Sequence, residues 1–199
     1  MIMLNFVKNL SMTPLIDYIK TYITLSPEAE QEIRRIGEQI EVPKGTVLLE
    51  EGKICRRMYF VAKGTLRTYF YQKGKDITYW IYLDGNLAIP WYSYIQREPS
   101  SEYLEAIEDA VLCSLTYDQW QELYLAYPEL ERFGRLTMEE ATSHIDEFYK
   151  GYFLYTAKEK YELLTYVFPE VTQRANLGHI ASMLGISQET LSRIRAGKA

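Results

Sequence analysis

Glycines recur at short intervals in the middle of this chain and limit how much regular structure can lie between turns. Between residues 42 and 116 they stand 7 to 12 residues apart, at Gly45, Gly52, Gly64, Gly74 and Gly85. The runs between them, such as MYFVA, TLRTYFYQ and DITYWIYL, are rich in β-branched and aromatic residues. Short strands joined by turns at this spacing predict an antiparallel barrel or roll.

A helix is predicted on each side of this β-rich segment. Before it, the run SPE at residues 26–28 supplies a capping hydroxyl, a proline at the first helical position and an acidic first turn. Isoleucines follow at helical spacing as far as Ile40, so we expect this helix to end just before Pro43. After it, helical spacing resumes beyond Thr116.

The longest predicted helix begins at Pro128 and continues for about six turns. Its apolar stripe consists of Leu130, Phe133, Thr137, Ala141, Ile145, Phe148 and Tyr152. A helix of this length with one apolar face needs a partner surface. The stripe either packs against the chain's own roll or forms the seam of a two-fold homodimer, and we favour the seam.

The C-terminal segment predicts short helices joined by a tight turn. Thr156 and Glu159 have the spacing of a capping box. Further on, IASMLGISQETLSRIR places Ala181 in one helix, Gly185 at the turn and Ser187 at the cap of a second helix, which is typical of a DNA-reading helix-turn-helix. We therefore predict a roll with flanking helices over residues 1–125, a long helix over 126–155 and a helix-turn-helix domain over 156–199.

The net charge of −5 argues against a nucleic-acid partner when taken alone, but the charge is unevenly distributed. Residues 171–199 carry four basic residues and one acidic residue, which is +3 and leaves −8 on the rest of the chain. An acidic body with a basic end is consistent with a DNA-binding domain on a sensor domain. The first 20 residues have neither a long apolar run nor a cleavage site, so we expect a cytoplasmic protein with no membrane partner.

The order of these elements resembles that of the Crp/Fnr transcription regulators. The resemblance covers nearly the whole chain and rests on KGTVLLEEGKICRRMYFVAKGTLRTYF in the β-rich segment and IASMLGISQETLSRIR near the end. It implies an α+β fold with an N-terminal antiparallel β-roll (a double-stranded β-helix of the cyclic-nucleotide-binding type), a long dimerisation helix and a C-terminal helix-turn-helix. Only residues 196–199 follow Arg195, so we expect the family's wing hairpin to be missing and dimerisation to be more necessary for DNA binding.

The resemblance further implies that the second helix of the pair enters the major groove of DNA. Arginine can bond bidentately to guanine, glutamate can accept from cytosine, and glutamine can reach adenine or a phosphate. Small hydroxyl side chains suit phosphate contacts. The predicted DNA-binding residues are Ser187, Gln188, Glu189, Thr190, Arg193 and Arg195. The alternative is that Arg193 and Glu189 form a solvated ion pair on a small helical domain.

The phosphate site of nucleotide-binding members is not reproduced in this sequence. Those members carry a Gly-Glu pair at a helix start and an Arg-Ser or Arg-Thr pair about ten residues later, which hold the ribose and the cyclic phosphate. The matching positions here are roughly Ile89-Pro90 and Ser101-Glu102. Arg97 is the nearest cation, and we expect Glu98 to pair with it. A cyclic nucleotide is therefore not expected as ligand.

Aromatic residues around the same position predict a site for a planar or apolar small-molecule effector. The candidate residues are Tyr79, Trp80, Trp91, Tyr92, Arg97 and Ser101, with Tyr82 and Tyr94 nearby. The alternative is that the aromatic residues fill the core or cover the long helix, and their pattern favours this alternative.

No cofactor, metal site or catalytic activity is predicted. Cys55 and Cys113 are not clustered as iron–sulfur ligands are, and we expect both to be buried and reduced. His144 and His179 lie outside residues 42–116, where a haem or a cupin-type metal would need its ligands. The run GISQE is not a nucleophile elbow.

These inferences predict a homodimeric, sequence-specific DNA-binding transcription regulator. Its expected partners are a palindromic site in double-stranded DNA, an unidentified small-molecule effector and RNA polymerase. The alternative is a ligand- or protein-binding roll whose terminal domain has lost its DNA affinity.

Overall fold

A computed structural model describes residues 11–198 of the chain. The helices are α1 (Thr13–Tyr22), α2 (Pro27–Ile36), α3 (Trp91–Gln96), α4 (Tyr117–Ala126), α5 (Pro128–Leu154), α6 (Ala157–Val167), α7 (Val171–Arg174), α8 (Leu177–Met183) and α9 (Gln188–Arg195). The strands are β1 (Glu38–Val42), β2 (Val47–Leu49), β3 (Arg57–Lys63), β4 (Leu66–Gln72), β5 (Lys75–Tyr82), β6 (Leu87–Ala88), β7 (Tyr103–Ala106) and β8 (Ala110–Thr116). Over this range no helix combines the length and the apolarity that crossing a membrane requires.

The strands form two four-stranded antiparallel sheets that enclose the main core. Their orders are β1-β8-β3-β6 and β2-β7-β4-β5. Leu66, Leu104 and Leu112 are fully buried in this core. At Gly64, φ is +110° and an added Cβ would lie 2.5 Å from the Ala110 Cβ, so only glycine fits this turn. The antiparallel roll and the α+β fold predicted from the sequence are confirmed.

Side-chain caps begin several helices at the residues that the sequence indicated. Ser26 Oγ accepts a hydrogen bond from the backbone N–H of Ala29 at the start of α2. Thr156 and Glu159 form the predicted capping box of α6. Each cap satisfies a backbone N–H that has no partner within its helix.

The helix predicted to reach Pro43 is shorter than expected. Helix α2 ends at Ile36, and Ile40 lies in β1 opposite Leu112 of β8. Ile33 and Ile40 are both buried, but on different elements. The helical spacing of the isoleucines continues by chance beyond the end of α2. The prediction of helix was therefore wrong for residues 38–42, which form β1.

Part of the predicted dimer seam belongs to the chain's own core. Leu130, Phe133 and Thr137 on the first half of α5 are buried, and the Phe133 ring lies 6.0 Å from that of Tyr18 and 6.2 Å from that of Trp120. These three side chains are covered by α1, α4 and the roll, so the seam prediction is corrected at these positions. Ala141 and Phe148 are half-buried, and Ile145 and Tyr152 are exposed.

The C-terminal helices pack on the roll through a second, smaller core. Ile81 and Leu83, from β5 and the residue after it, share this core with Leu164 of α6, Ile180 of α8 and Leu191 of α9. The helix-turn-helix therefore lies against the outer face of one sheet of the roll.

Candidate nucleic-acid interface and effector pocket

The last helix, α9, presents most of its predicted DNA-binding residues to solvent. Ser187 caps it, because its Oγ accepts a hydrogen bond of 3.0 Å from the backbone N–H of Thr190. Leu191 is fully buried and fixes the helix on the domain. The exposed residues are Ser187, Gln188, Glu189, Arg193 and Arg195, and Thr190 is half-buried. These six side chains share one short capped helix, as predicted.

The turn before α9 has the geometry of a helix-turn-helix. Gly185 has a φ of +66°, and the backbone N–H of Ile186 donates a 3.0 Å hydrogen bond to the carbonyl of Ala181. A Cβ on Gly185 would lie 2.8 Å from the hydroxyl oxygen of Tyr152 on α5. Glycine at this position therefore permits both the left-handed turn and the close approach of the long helix.

One predicted DNA-binding residue also packs within the domain. The Nε2 atom of Gln188 lies 2.6 Å from the position that a Cβ on Gly178 would occupy, so its amide lies against the first turn of α8. Gln188 thus contributes to the packing of α8 on α9, a role that sequence spacing alone did not indicate.

Two arginines give α9 an exposed positive charge. Across residues 11–198, neither Arg193 nor Arg195 forms an ion pair. The ion pair between Arg193 and Glu189 that the alternative interpretation required is therefore not formed. Both guanidinium groups can turn toward an approaching phosphate or guanine without first leaving a carboxylate.

Arg174 does not add to this positive surface, although it contributes to the +3 of residues 171–199. Its guanidinium lies 2.9 Å from Asp84 and 2.8 Å from Glu108, and the side chain is mostly buried. Both carboxylates belong to the roll. Arg174 therefore joins the terminal domain to the roll, and its charge is neutralised there.

Helix α8 lies on β5 through polar as well as apolar contacts. The backbone N–H of Thr78 donates a 2.9 Å hydrogen bond to Ser182 Oγ. His179, predicted as a solvated residue, is half-buried at this contact, and its Nε2 lies 3.1 Å from the amide nitrogen of Asn176. Burial lowers the pKa of His179, and the positive charge of Arg67 lowers it further.

The predicted effector residues do not converge on one site. Tyr79 and Trp80 are neighbours on β5, at a point where the pairing register with β4 shifts and Tyr79 has no partner residue. Trp80 lies against α5, with its ring 5.0 Å from that of Phe148, whereas Tyr79 is exposed. Tyr92 is 62% exposed and Ser101 is exposed. Trp91 packs against the main core.

Arg97 is held by contacts with Cys55 and Tyr117. It has a φ of +60°, its Nη1 donates a 3.1 Å hydrogen bond to the carbonyl of Cys55, and its guanidinium lies 4.4 Å above the ring of Tyr117. Glu98 accepts a 3.0 Å hydrogen bond from the hydroxyl of Tyr92. The predicted pairing of Arg97 with Glu98 was therefore wrong.

The residues at the predicted phosphate position do not fit a cyclic nucleotide. Pro90 precedes α3 and has no N–H to offer, and α3 has only six residues. Glu102 is half-buried, and this burial raises the pKa of its carboxyl group. Tyr82 and Tyr94, both buried, fill the neighbouring roll interior. A buried phosphate would meet a carboxyl group and aromatic rings where it needs cations and N–H donors.

The described residues contain no cluster of metal-ligating side chains. Within residues 11–198, no group of three or more His, Cys, Asp and Glu side chains is placed to hold a metal ion. Cys55 and Cys113 are free and buried, and burial raises the pKa of each thiol to about 11. Both thiols are therefore protonated at neutral pH, which disfavours metal binding and oxidation.

Comparison with known proteins places the roll in an established domain family. Residues 39–127 match the model of the cyclic nucleotide-binding domain. The chain is similar to the anaerobic regulatory protein of Haemophilus influenzae, with 23% identity over 181 residues, which covers 83% of this chain and 70% of that protein. It is similar to the fumarate and nitrate reduction regulatory protein of Vibrio cholerae, with 23% identity over 83% of this chain and 72% of that protein.

The fold is shared with a solved structure described as a putative transcriptional regulator of the Crp/Fnr family from Eubacterium rectale. The TM-score is 0.67 at 18% identity, with 91% of this chain and 87% of that chain covered. This likeness extends beyond the roll to α5 and the C-terminal helices, as the coverage requires. With the matched domain and the similar regulators, it confirms the resemblance to the Crp/Fnr regulators that was drawn from the sequence.

Proposed function

We propose that the protein is a sequence-specific DNA-binding transcription regulator that reads DNA with α9. The observation that carries the proposal is the exposed face of α9, where Arg193 and Arg195 project without ion-pair partners among the described residues while Leu191 fixes the helix. Ser187 and Thr190 lie at the N-terminus of the same helix, where hydroxyl and backbone N–H groups suit phosphate contacts. The similarity to regulatory proteins supports this assignment.

The regulator is proposed to act as a homodimer, with a seam that keeps Ile145 and Tyr152 of the predicted stripe and leaves out its buried residues. On the second half of α5, exposed apolar side chains follow a spacing of three and four residues: Met138, Ile145, Tyr149 and Tyr152, with Thr142 between the first two. Ile145 is 48% exposed and Tyr149 is 63% exposed. An exposed stripe with this alternation suits pairing with the same stripe of a second copy.

The regulator is further proposed to respond to a ligand other than a cyclic nucleotide. The support is the chemistry of the phosphate position, where Pro90 and Glu102 replace donors and a cation. The alternative function, a roll that has lost its DNA affinity, predicts that the exposed face of α9 has no nucleic-acid ligand.

Genome-wide capture of DNA fragments by the purified full chain tests the proposals of DNA binding and of a homodimer. The expected result is enrichment of an inverted repeat whose half-sites lie about one helical turn, or roughly 34 Å, apart. Arg56→Ala is the matched control for substitutions in α9, because Arg56 is exposed on the roll outside the helix-turn-helix. Capture without any enriched sequence would favour the alternative function.

A further inference from the structure

A cavity lies where the roll, the long helix and the helix-turn-helix meet, away from the roll interior. Its volume is about 90 Å³, and its lining includes Trp80 of β5, Phe148 of α5, Leu164 of α6 and Leu184 beside the turn. Tyr155, which is partly exposed, also lines it, so the cavity is open to solvent on that side. One site thus touches every structural unit of the described chain.

The inner wall of the cavity is aromatic. The Trp80 ring meets Phe148 at a centroid distance of 5.0 Å and an angle of 73°, and Phe168 at 6.4 Å and 88°. Leu164 and Leu184 behind them are buried. Rings that already meet edge to face can accept a further ring in the same geometry, and a volume of this size limits the guest to about one ring.

The mouth of the cavity carries a cation. Lys160 Nζ lies 4.4 Å above the ring of Tyr152, and in the described part of the chain no carboxylate forms an ion pair with it. Glu147 and His144 also line the cavity but do not neutralise Lys160. An ammonium group held over a ring beside an apolar cavity can form an ion pair with an anion at the cavity's edge.

Two glycines shape this arrangement. A Cβ on Gly151 would lie 2.9 Å from the ring of Tyr155, and a Cβ on Gly185 would lie 2.8 Å from the hydroxyl of Tyr152. Both tyrosines can therefore lie close to the backbone and leave the cavity open between them. Larger residues at either position would push a tyrosine ring toward the space that a ligand would use.

We propose that this cavity binds a small aromatic carboxylate, with its ring against Trp80 and Phe148 and its carboxylate at Lys160. An apolar cavity with one placed charge is the usual composition of a small-molecule site. This site shares only Trp80 with the predicted effector residues, and it shares no residue with the exposed face of α9. The proposal therefore does not depend on DNA binding.

Phenylacetate is a suitable probe, because one methylene separates its ring from its carboxylate. Isothermal titration calorimetry on the full chain without DNA is expected to give saturable binding, with a Kd between high micromolar and low millimolar for a ligand of about ten non-hydrogen atoms. Lys160→Met is expected to weaken phenylacetate binding roughly tenfold and to leave the neutral analogue phenylacetamide unchanged. Lys158→Met is the matched control, because Lys158 is exposed on the same helix and does not line the cavity.

A cavity-filling variant distinguishes binding of a small molecule from occupation of the cavity by a second copy of the chain. Leu163→Phe adds a ring to the lining and is expected to weaken both probes at least tenfold while the circular dichroism spectrum and dimer dissociation constant stay unchanged. The proposal is overturned if phenylacetate does not saturate the parent protein, or if it binds Lys160→Met and Leu163→Phe as well as it binds the parent. Absence of ligand binding together with a changed dimer dissociation constant for Leu163→Phe would instead identify a second copy of the chain as the occupant.

Discussion

The backbone N–H of Thr78 donates its hydrogen bond to Ser182 Oγ at 2.9 Å and thereby joins β5 of the roll to α8 of the helix-turn-helix. Thr78 is buried, so water cannot replace the hydroxyl without some opening of this contact. Rotation of the terminal domain away from the roll must break this bond and the contacts of Arg174 with Asp84 and Glu108. The position of the helix-turn-helix is thus coupled to strand β5 of the roll.

Ser182→Ala is expected to reduce the free energy of unfolding by about 1–3 kcal/mol, because it leaves the buried N–H of Thr78 without an acceptor. Urea unfolding followed by circular dichroism measures the change. Ser143→Ala is the control, since Ser143 is exposed on α5, and it should stay within about 0.5 kcal/mol of the parent. Equal stability of the two variants would show that the contact contributes nothing.

The contact between α8 and β5 should weaken at acid pH because of His179. Burial and Arg67 lower its pKa, while Asp76 and Glu105 act in the opposite direction and Lys44 lowers it slightly. The folded state therefore favours the neutral imidazole. Its contribution to stability is present above the unfolded-state pKa of about 6.5 and is lost as the pH falls through the lower folded-state value.

Melting temperatures measured at a series of pH values test this prediction. The parent should lose more stability between neutral and mildly acid pH than His179→Gln loses. His144→Gln serves as control because His144 is exposed, and it should follow the parent. A His179→Gln curve parallel to that of the parent would exclude this residue as the cause.

We expect the two arginines of α9 to contribute differently to DNA binding. Arg193→Ala should cost about 1–3 kcal/mol on the best site and relax the preference at one base pair, as loss of a bidentate guanine contact does. Arg195→Ala should weaken binding to all sequences about equally and reduce the salt dependence. Fluorescence anisotropy on a set of single-substituted sites distinguishes these outcomes, with Arg56→Ala as control. Parent-like binding by both arginine variants would remove α9 from the interface.

The exposed stripe of α5 predicts where the dimer can be broken. Ile145→Lys should shift the protein to monomers at micromolar concentration in light scattering. Each copy would bring one ammonium group to the seam, where the two charges would repel each other and lose water on burial. Ser143→Lys adds the same charge on another face of the helix and should leave the dimer intact. If Ser143→Lys dissociates the dimer and Ile145→Lys does not, the seam lies elsewhere.

Cyclic AMP and cyclic GMP are expected not to bind at micromolar concentration. Replacing a bidentate arginine by a nearby carboxyl group should weaken binding on the order of a thousandfold. Calorimetry with either nucleotide is the direct measurement. Micromolar binding that is abolished by Arg97→Ala would contradict the placement of Arg97 over Tyr117.

Sequence patterns predicted correctly those helices and strands that depend on residues close together in the chain. Glycine spacing predicted the roll, and the hydroxyls of Ser26, Thr156 and Ser187 predicted three helix starts, because a cap involves residues three apart in the chain. The continuation of the α2 stripe to Ile40 was misleading, since an apolar residue in an inward-facing strand position looks the same. Nothing in the sequence pattern indicated α1, whose short apolar face packs on residues that are distant in the chain.

The sequence predicted the placement of the candidate site residues only where all of them lie on one helix. The six residues assigned to DNA lie on α9 and its cap, as helical spacing required. The predicted effector residues are dispersed because Tyr79 is exposed while Trp80 packs against α5, and because Arg97 bends toward Cys55. Arg174 was counted with the DNA-facing charge, since its partners Asp84 and Glu108 lie more than sixty residues away.

Among the residues of α9, only Leu191 is buried, and the helix is otherwise attached to its domain by half-buried side chains. Substitutions at the exposed positions therefore cost the fold little, because none of them opens the small core beneath. Single changes at positions 189, 192 or 193 can therefore alter the exposed face of α9 while keeping the same stability, whereas a change at Gln188 also affects the packing against α8. The exposed face of α9 is free to diverge, and Leu191 preserves the helix that carries it.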